Sequence, residues 1–255
     1  MPMKQDAFSL EGELALVTGG GTGIGLAIAK AFVARGARVV IAGRRAEALD
    51  QACAELGTAA TRRVYDVNRY GDAPSLVADI SAREGPVTLL VNNAGVHLKK
   101  PAEAITEEEF AEVLNVHLLG AHALSRAVYP GMKERGRGAI LYIASMASLF
   151  ALPQTLAYSA AKTGMLGVVR TLASEWSPHG IRVNAIAPGW IETDMMRQAV
   201  DADPERKAKI LGRTPMGCFG QTEDVGWSAA FLCSPAARFI TGTCLPVDGG
   251  AAIGF

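Results

Sequence analysis

Short apolar runs rich in β-branched residues alternate along this chain with longer stretches of helical period. The runs at 14–18 (LALVT), 38–42 (RVVIA), 61–67 (TRRVYDV), 88–95 (TLLVNNAG), 138–145 (GAILYIAS), 181–189 (IRVNAIAPG) and 242–250 (GTCLPVDGG) predict strands. Between them, 24–36, 46–57 and about 156–177 predict helices. Strands apolar on both faces suit a parallel sheet covered by helices on each side, so the expected fold is α/β and doubly wound. No linker, repeat or low-complexity segment interrupts the pattern, which predicts a single domain over residues 1–255. The least patterned part is 190–220, with the charged run DADPERKAK, and an excursion of that length between two strands is expected to be a lid over a site.

The turn TGGGTGIG at 18–25 joins the first strand to the first helix. Glycines there permit a tight turn, and the helix N-terminus offers free N–H groups to a pyrophosphate. Gly19, Gly23 and Gly25 give GxxxGxG and not the more general GxGxxG, whose last position is Ile24 here. Gly21, Thr22 and Ile24 belong to the same candidate turn, and the context makes a Rossmann-type domain the expectation. The second strand ends in IAGRR. Gly43 stands where a carboxylate would repel a 2′-phosphate, and Arg44 and Arg45 follow with guanidinium groups matched to phosphate geometry. NADP is therefore expected in preference to NAD.

In YSAAK, at 158–162, a helix would place Lys162 on the same face as Tyr158. Lowering a phenol from its usual pKa of ~10 by about three units costs ~4 kcal/mol. That is comparable with a positive charge ~4 Å away at an effective dielectric of ~20. Burial would oppose the shift, and an oxidised nicotinamide would support it. Tyr158 then becomes a candidate general acid for a carbonyl oxygen or base for an alcohol.

Charge narrows the partners. Lys and Arg total 25 and so do Asp and Glu, with a pI near 6.9, which leaves no net field to gather nucleic acid or hold an anionic membrane. A small molecule is the expected partner. Cys53, Cys218, Cys233 and Cys244 form no CxxC pair and adjoin no histidine cluster, so neither a metal site nor a redox dithiol is written here. The N-terminal twenty residues contain neither a long apolar segment nor a small-residue cleavage site, and a cytoplasmic protein is expected.

TGGGTGIG, NNAG at 92–95, Ser145, YSAAK and PGWIETDM at 188–195 occur in the order and spacing of the short-chain dehydrogenase/reductase family, which the chain resembles over roughly 10–250. The texture of 213–250 is similar to gluconate 5-dehydrogenase and 3-oxoacyl-acyl-carrier-protein reductase members. The resemblance implies that Tyr158 is the acid/base, that Lys162 lowers its pKa and holds the nicotinamide ribose, and that Ser145 bonds the substrate oxygen. It implies that Asn92, Ala94 and Gly95 line the cofactor, that Asp66 and Val67 meet the adenine, and that Pro188, Gly189, Ile191 and Thr193 frame the nicotinamide. It also implies a homotetramer or homodimer built through helices around 103–135 and 157–178, with the C-terminus near a contact. Val96, His97, Ala147, Leu149, Gln154, Trp190, Met195 and Met196 are the expected substrate-pocket residues.

One position departs. The family places an asparagine where this chain has His117, in VHLLG, and Asn115, two residues earlier, lies about 200° away on a helix. In the family that residue serves a proton relay largely through its backbone carbonyl, so His117 either keeps the relay or is a packed histidine. The expected activity is interconversion of a ketone and a secondary alcohol. A non-catalytic sensor of NADP(H) is the competing reading, against which the intact Ser145, Tyr158 and Lys162 argue.

Overall fold

The computed structural model describes residues 6–193, 196 and 203–254. Seven strands form one sheet: β1 (Leu14–Thr18), β2 (Arg38–Gly43), β3 (Ala60–Val64), β4 (Leu89–Asn92), β5 (Gly138–Ile143), β6 (Ile181–Pro188) and β7 (Cys244–Val247). Their spatial order is β3-β2-β1-β4-β5-β6-β7, and every pairing is parallel. The direction of winding reverses between β1 and β4, which opens a crevice beyond the carboxyl ends of the central strands.

Among the described residues the helices are α1 (Gly23–Ala34), α2 (Ala46–Leu56), α3 (Ala73–Glu84), α4 (Glu107–Leu114), α5 (Gly120–Glu134), α6 (Leu156–Trp176), α7 (Pro204–Arg213) and α8 (Thr222–Cys233). Alternation along β1 feeds two cores. Ala15 and Val17 pack with Ile28 and Phe32 of α1, Leu49 of α2 and Val225 and Ala229 of α8. Leu14 and Leu16 face the other way, toward Ile80 of α3, Leu124 and Val128 of α5, and Met165 and Val169 of α6. The doubly wound expectation is thereby met, with helices on both faces.

The edges are handled by charge and by proline. β3 is largely half-exposed, and Arg63 pairs with Asp79 at 2.7 Å and Glu84 at 2.9 Å while Arg62 pairs with Asp50. On the opposite edge β7 carries Pro246, whose missing donor is tolerated where only one neighbour pairs.

Several strand ends differ from the pattern, two of them for visible reasons. The third strand ends at Val64 rather than at 67, because the Asp66 carboxylate accepts the Asn68 N–H at 3.0 Å and turns the chain out of the sheet. The last strand shortens to 244–247, since Gly249 and Gly250 adopt positive φ beyond it. The segment expected as a lid contains α7, started by Asp203, whose side chain accepts the Arg206 N–H, with proline in the first turn. Met195 lies outside the described residues, as do 194 and 197–202.

Candidate active site

At the end of β1 the chain turns so tightly that a Cβ on Gly25 would stand 2.2 Å from the Gly19 carbonyl oxygen. Only glycine fits there. α1 begins at Gly23 with no side-chain cap and no acidic residue in its first turn, so its leading N–H groups remain available to an anion. Thr18 fixes the neighbouring strand: its hydroxyl donates to the Val91 carbonyl at 3.2 Å and accepts the N–H groups of Asn93 and Ala94. The Asn93 amide returns to the Thr18 carbonyl at 2.9 Å.

Gly43, closing β2, leaves open space where a side chain would stand: a Cβ there would meet only Leu49, at 3.7 Å. Arg44 is exposed beside it, and Arg45 donates to the Thr22 hydroxyl at 3.3 Å. The glycine turn, the uncapped helix and the two guanidinium groups together fit a dinucleotide bearing a 2′-phosphate.

A cleft of about 1270 Å³ runs from these arginines, past Tyr65, Asp66 and Val67, to Ser145, Tyr158 and Lys162. Its inner end is buried. Lys162 is 4 % exposed and donates to the Ile143 carbonyl at 2.5 Å, with its ammonium 5.5 Å from the Tyr158 ring centroid. Burial pushes the Lys162 amine down to about 7. Burial also raises the Tyr158 phenol above its ordinary value, opposed by a hydrogen bond with Ser145. The Lys162 ammonium is turned to the Ile143 carbonyl, and desolvation is the larger influence on the Tyr158 phenol. Ser145 is backbone-extended, and its hydroxyl accepts the Ala147 N–H at 3.1 Å.

His117 sits in a π-turn, Asn115–Leu119, between α4 and α5. It is 1 % exposed, its Nε2 lies 2.8 Å from the Val96 carbonyl oxygen, and its ring meets Tyr158 edge-on at 5.5 Å between centroids. Burial first, and then the Lys162 charge, push its pKa down to about 3, so the ring is neutral. Gly95 makes room for it: a Cβ there would lie 2.4 Å from the His117 Cε1.

Of the residues expected at the site, Gly19, Gly21, Thr22, Ile24, Arg44, Arg45, Asp66, Val67, Ala94, Gly95, His117, Ser145, Tyr158, Lys162, Pro188, Gly189, Ile191 and Thr193 line this one cleft. So do Val96, His97, Gln154, Trp190 and Met196. Gly23 faces a small depression with Lys30 and Glu223 on the far side of the turn. Asn92 is buried and donates to Ser125 at 3.1 Å, toward α5 and away from the cleft, so its neighbour Asn93 lines the cofactor end in its place. Ala147 is buried and Leu149 is exposed, both outside the cleft lining. Sequence reasoning missed Asn93, whose signal was the second letter of NNAG, and the cations Lys99, Arg206 and Lys209, which line the same cleft.

The chain belongs to the short-chain dehydrogenase/reductase family. A family model described as enoyl-(acyl carrier protein) reductase matches residues 19–252. The chain is 37 % identical to gluconate 5-dehydrogenase of Gluconobacter oxydans (strain 621H), over 97 % of this chain and 98 % of that protein. It is 41 % identical to the L-tagatose-forming galactitol 2-dehydrogenase of Cereibacter sphaeroides, over 95 % and 96 %. Among solved structures it resembles a gluconate 5-dehydrogenase of Burkholderia cenocepacia J2315 in complex with NADP and tartrate, with 34 % identity, a TM-score of 0.93 and coverage of 98 % and 99 %. It also resembles a 3-ketoacyl-(acyl-carrier-protein) reductase of Brucella melitensis complexed with NADH, with 36 % identity, a TM-score of 0.90 and coverage of 96 % and 100 %.

Proposed function

We propose that the protein is an NADP(H)-dependent oxidoreductase that interconverts a ketone and a secondary alcohol, with a sugar acid such as gluconate or a 3-oxoacyl thioester as substrate. The observation that carries this reading is the convergence of Ser145, Tyr158 and Lys162 on the inner end of a cleft whose outer end holds Gly43, Arg44 and Arg45. Names of relatives that act on gluconate and galactitol, and a similar structure with NADP, support it.

When bound, the nicotinamide supplies or accepts the hydride. The chain handles the proton. Tyr158, kept protonated by burial, donates its O–H proton to the substrate oxygen as that oxygen gains charge, and takes it back in the oxidative direction. Ser145, already bonded to the phenol, orients the oxygen between the two hydroxyls. Lys162 stabilises the phenolate left behind; its amine near pKa 7 also holds a proton loosely enough to return it. His117, neutral and fixed to Val96, is read as a packed support for the Tyr158 ring.

α7 is read as the lid, since Asp203, Glu205, Arg206, Lys209 and Ile210 all line the cleft. A homo-oligomer is expected: Trp227 on α8, Phe239 before β7 and Ile253 after it stand exposed at 52 %, 95 % and 84 %. The cytoplasm remains the expected compartment, on the four unpaired thiols.

The test is a panel of carbonyl compounds followed by NADPH absorbance, with Tyr158→Phe alongside. The wild type should turn over at least one ketone, and the variant should lose turnover by at least ~100-fold, within the range of a general acid, while still binding NADPH. A variant that keeps its rate, or a wild type that binds NADPH and turns over nothing, would refute this assignment and favour the sensor.

A further inference from the structure

α7 crosses the mouth of the cleft with a definite inner face. Ile210 is 6 % exposed and Arg213 lays its guanidinium 4.1 Å over the Phe150 ring, so the stripe containing positions 206, 210 and 213 is the one turned to the body of the protein. Arg206 lies on that stripe, half-buried, one turn before Ile210, and it lines the cleft. Lys99, on the segment following β4, lines the same cleft. Neither side chain makes an ion pair or hydrogen bond among the described residues.

The ring of His97 connects these cations to the chemistry. It packs against Tyr158 at 4.9 Å between centroids, with the ring planes tilted by 49°. Its pKa is lowered by burial and then by the charges of Lys99 and Arg206, which places both cations within electrostatic reach of a ring touching the proposed acid. Lys209, three residues along from Arg206, adds a third positive charge to the wall. Two carboxylates share it. Asp203 accepts the Arg206 backbone N–H at 2.9 Å and is committed to starting the helix, while Glu205 falls outside the inner stripe. An arginine held half-buried against the cleft, with no carboxylate partner among the described residues, is matched by a carboxylate from outside, which it can grip through two parallel hydrogen bonds.

We infer that Arg206, assisted by Lys99, is an anion-recognition subsite that selects substrates bearing a carboxylate remote from the reacting carbon over neutral polyols. This deepens the proposed reading and rests on it for the position of the reacting carbon. It also separates this chain from a galactitol-type specificity, since a polyol offers no charge to Arg206.

The test compares two ketones of one carbon skeleton, 5-keto-D-gluconate and L-sorbose, in which a carboxylate is exchanged for a hydroxymethyl group. Calorimetry of D-gluconate and D-glucitol with the NADP-loaded protein runs beside it. The wild type should favour the acid in kcat/KM by roughly 10- to 100-fold, the worth of a hydrogen bond between charged groups. Arg206→Met should collapse that ratio through KM, Lys99→Gln should lower it by less, and Arg206→Lys should restore part of it. The acid's KM alone should rise with salt. A wild-type ratio near one, or equal losses for acid and neutral sugar in Arg206→Met, would overturn the inference while leaving the oxidoreductase reading intact. If neither ketone is reduced but D-gluconate binds through Arg206 in preference to D-glucitol, the anion subsite stands and reduction of this sugar acid falls, while the carbonyl panel decides the oxidoreductase reading separately. Binding of neither ligand overturns the subsite.

Discussion

Gly95→Ala should be costly because of His117, whose ring supplies the three atoms nearest to the added methyl. The new methyl carbon would stand 2.4 Å from the ring Cε1, 3.2 Å from Nδ1 and 3.3 Å from Nε2, against a rigid plane that cannot bend away. The ring is pinned by its contact with the Val96 carbonyl at 2.8 Å and by its edge on Tyr158. Overpacking of this kind costs about 1–3 kcal/mol, and swinging the ring off Val96 forfeits a further ~1 kcal/mol. The sum, about 2–4 kcal/mol, corresponds to a fall in Tm of roughly 4–8 °C at this chain length. Thermal melts of the wild type, Gly95→Ala, His117→Asn and the double variant, at one protein concentration, form the cycle. Asparagine is shorter than histidine, so the alanine methyl should cost at least ~1 kcal/mol less in the His117→Asn background. Equal cost of Gly95→Ala in both backgrounds would clear His117 of the clash, as would a wild-type melt unmoved by the substitution.

Gly43→Asp with Arg44→Ile should reverse the coenzyme preference, by at least ~100-fold in the NADPH/NADH ratio of Kd values, because a carboxylate would then face the 2′-phosphate; equal wild-type affinity for both coenzymes would count against this reading. The wild-type pH–rate profile should show no ionisation near ~6.5 that disappears in His117→Asn, since burial holds that ring neutral down to about 3. Stability should carry the linked sign. The unfolded state takes up a proton below ~6.5 that the folded imidazole refuses, so the wild type should lose stability as pH falls from ~6.5 toward 3, by up to ~1.4 kcal/mol per unit, and His117→Asn should flatten that slope. Light scattering should find a dimer or tetramer, and a monomer at micromolar concentration would remove the oligomer.

The sheet and the cofactor end were legible because each rests on local signals. Leu14–Thr18 is buried at every position, as a central parallel strand must be, and Gly19 and Gly25 stand where backbone meets backbone. Strand ends were less legible, since Asp66 ends β3 through a side chain whose turn the apolar pattern does not announce. Asn92 and Asn93 read alike in sequence. Only the alternation of the strand end decides that one donates to Ser125 beneath the sheet and the other returns to Thr18 at the cleft.

The proton chemistry shows a different limit. The spacing of Tyr158 and Lys162 sets a lysine charge that lowers the phenol against burial that raises it, and spacing does not say where the ammonium points. In the folded chain the two groups are desolvated together, and the Ile143 carbonyl, supplied by a strand from another part of the sequence, takes the ammonium's hydrogen bond. Each neutral form gains: the phenol keeps its proton and the amine is pushed down to about 7. On the proposed function, a site so arranged would present a protonated acid to an incoming carbonyl without holding a buried phenolate at rest, and the cost of creating that phenolate would fall within the reaction, with Ser145 and Lys162 beside it. The same reasoning accounts for His117: a ring kept neutral beside Lys162 adds no competing charge to the pocket, whereas a protonated imidazole at 5.5 Å from the Tyr158 ring would pull the phenol toward ionisation before substrate arrived.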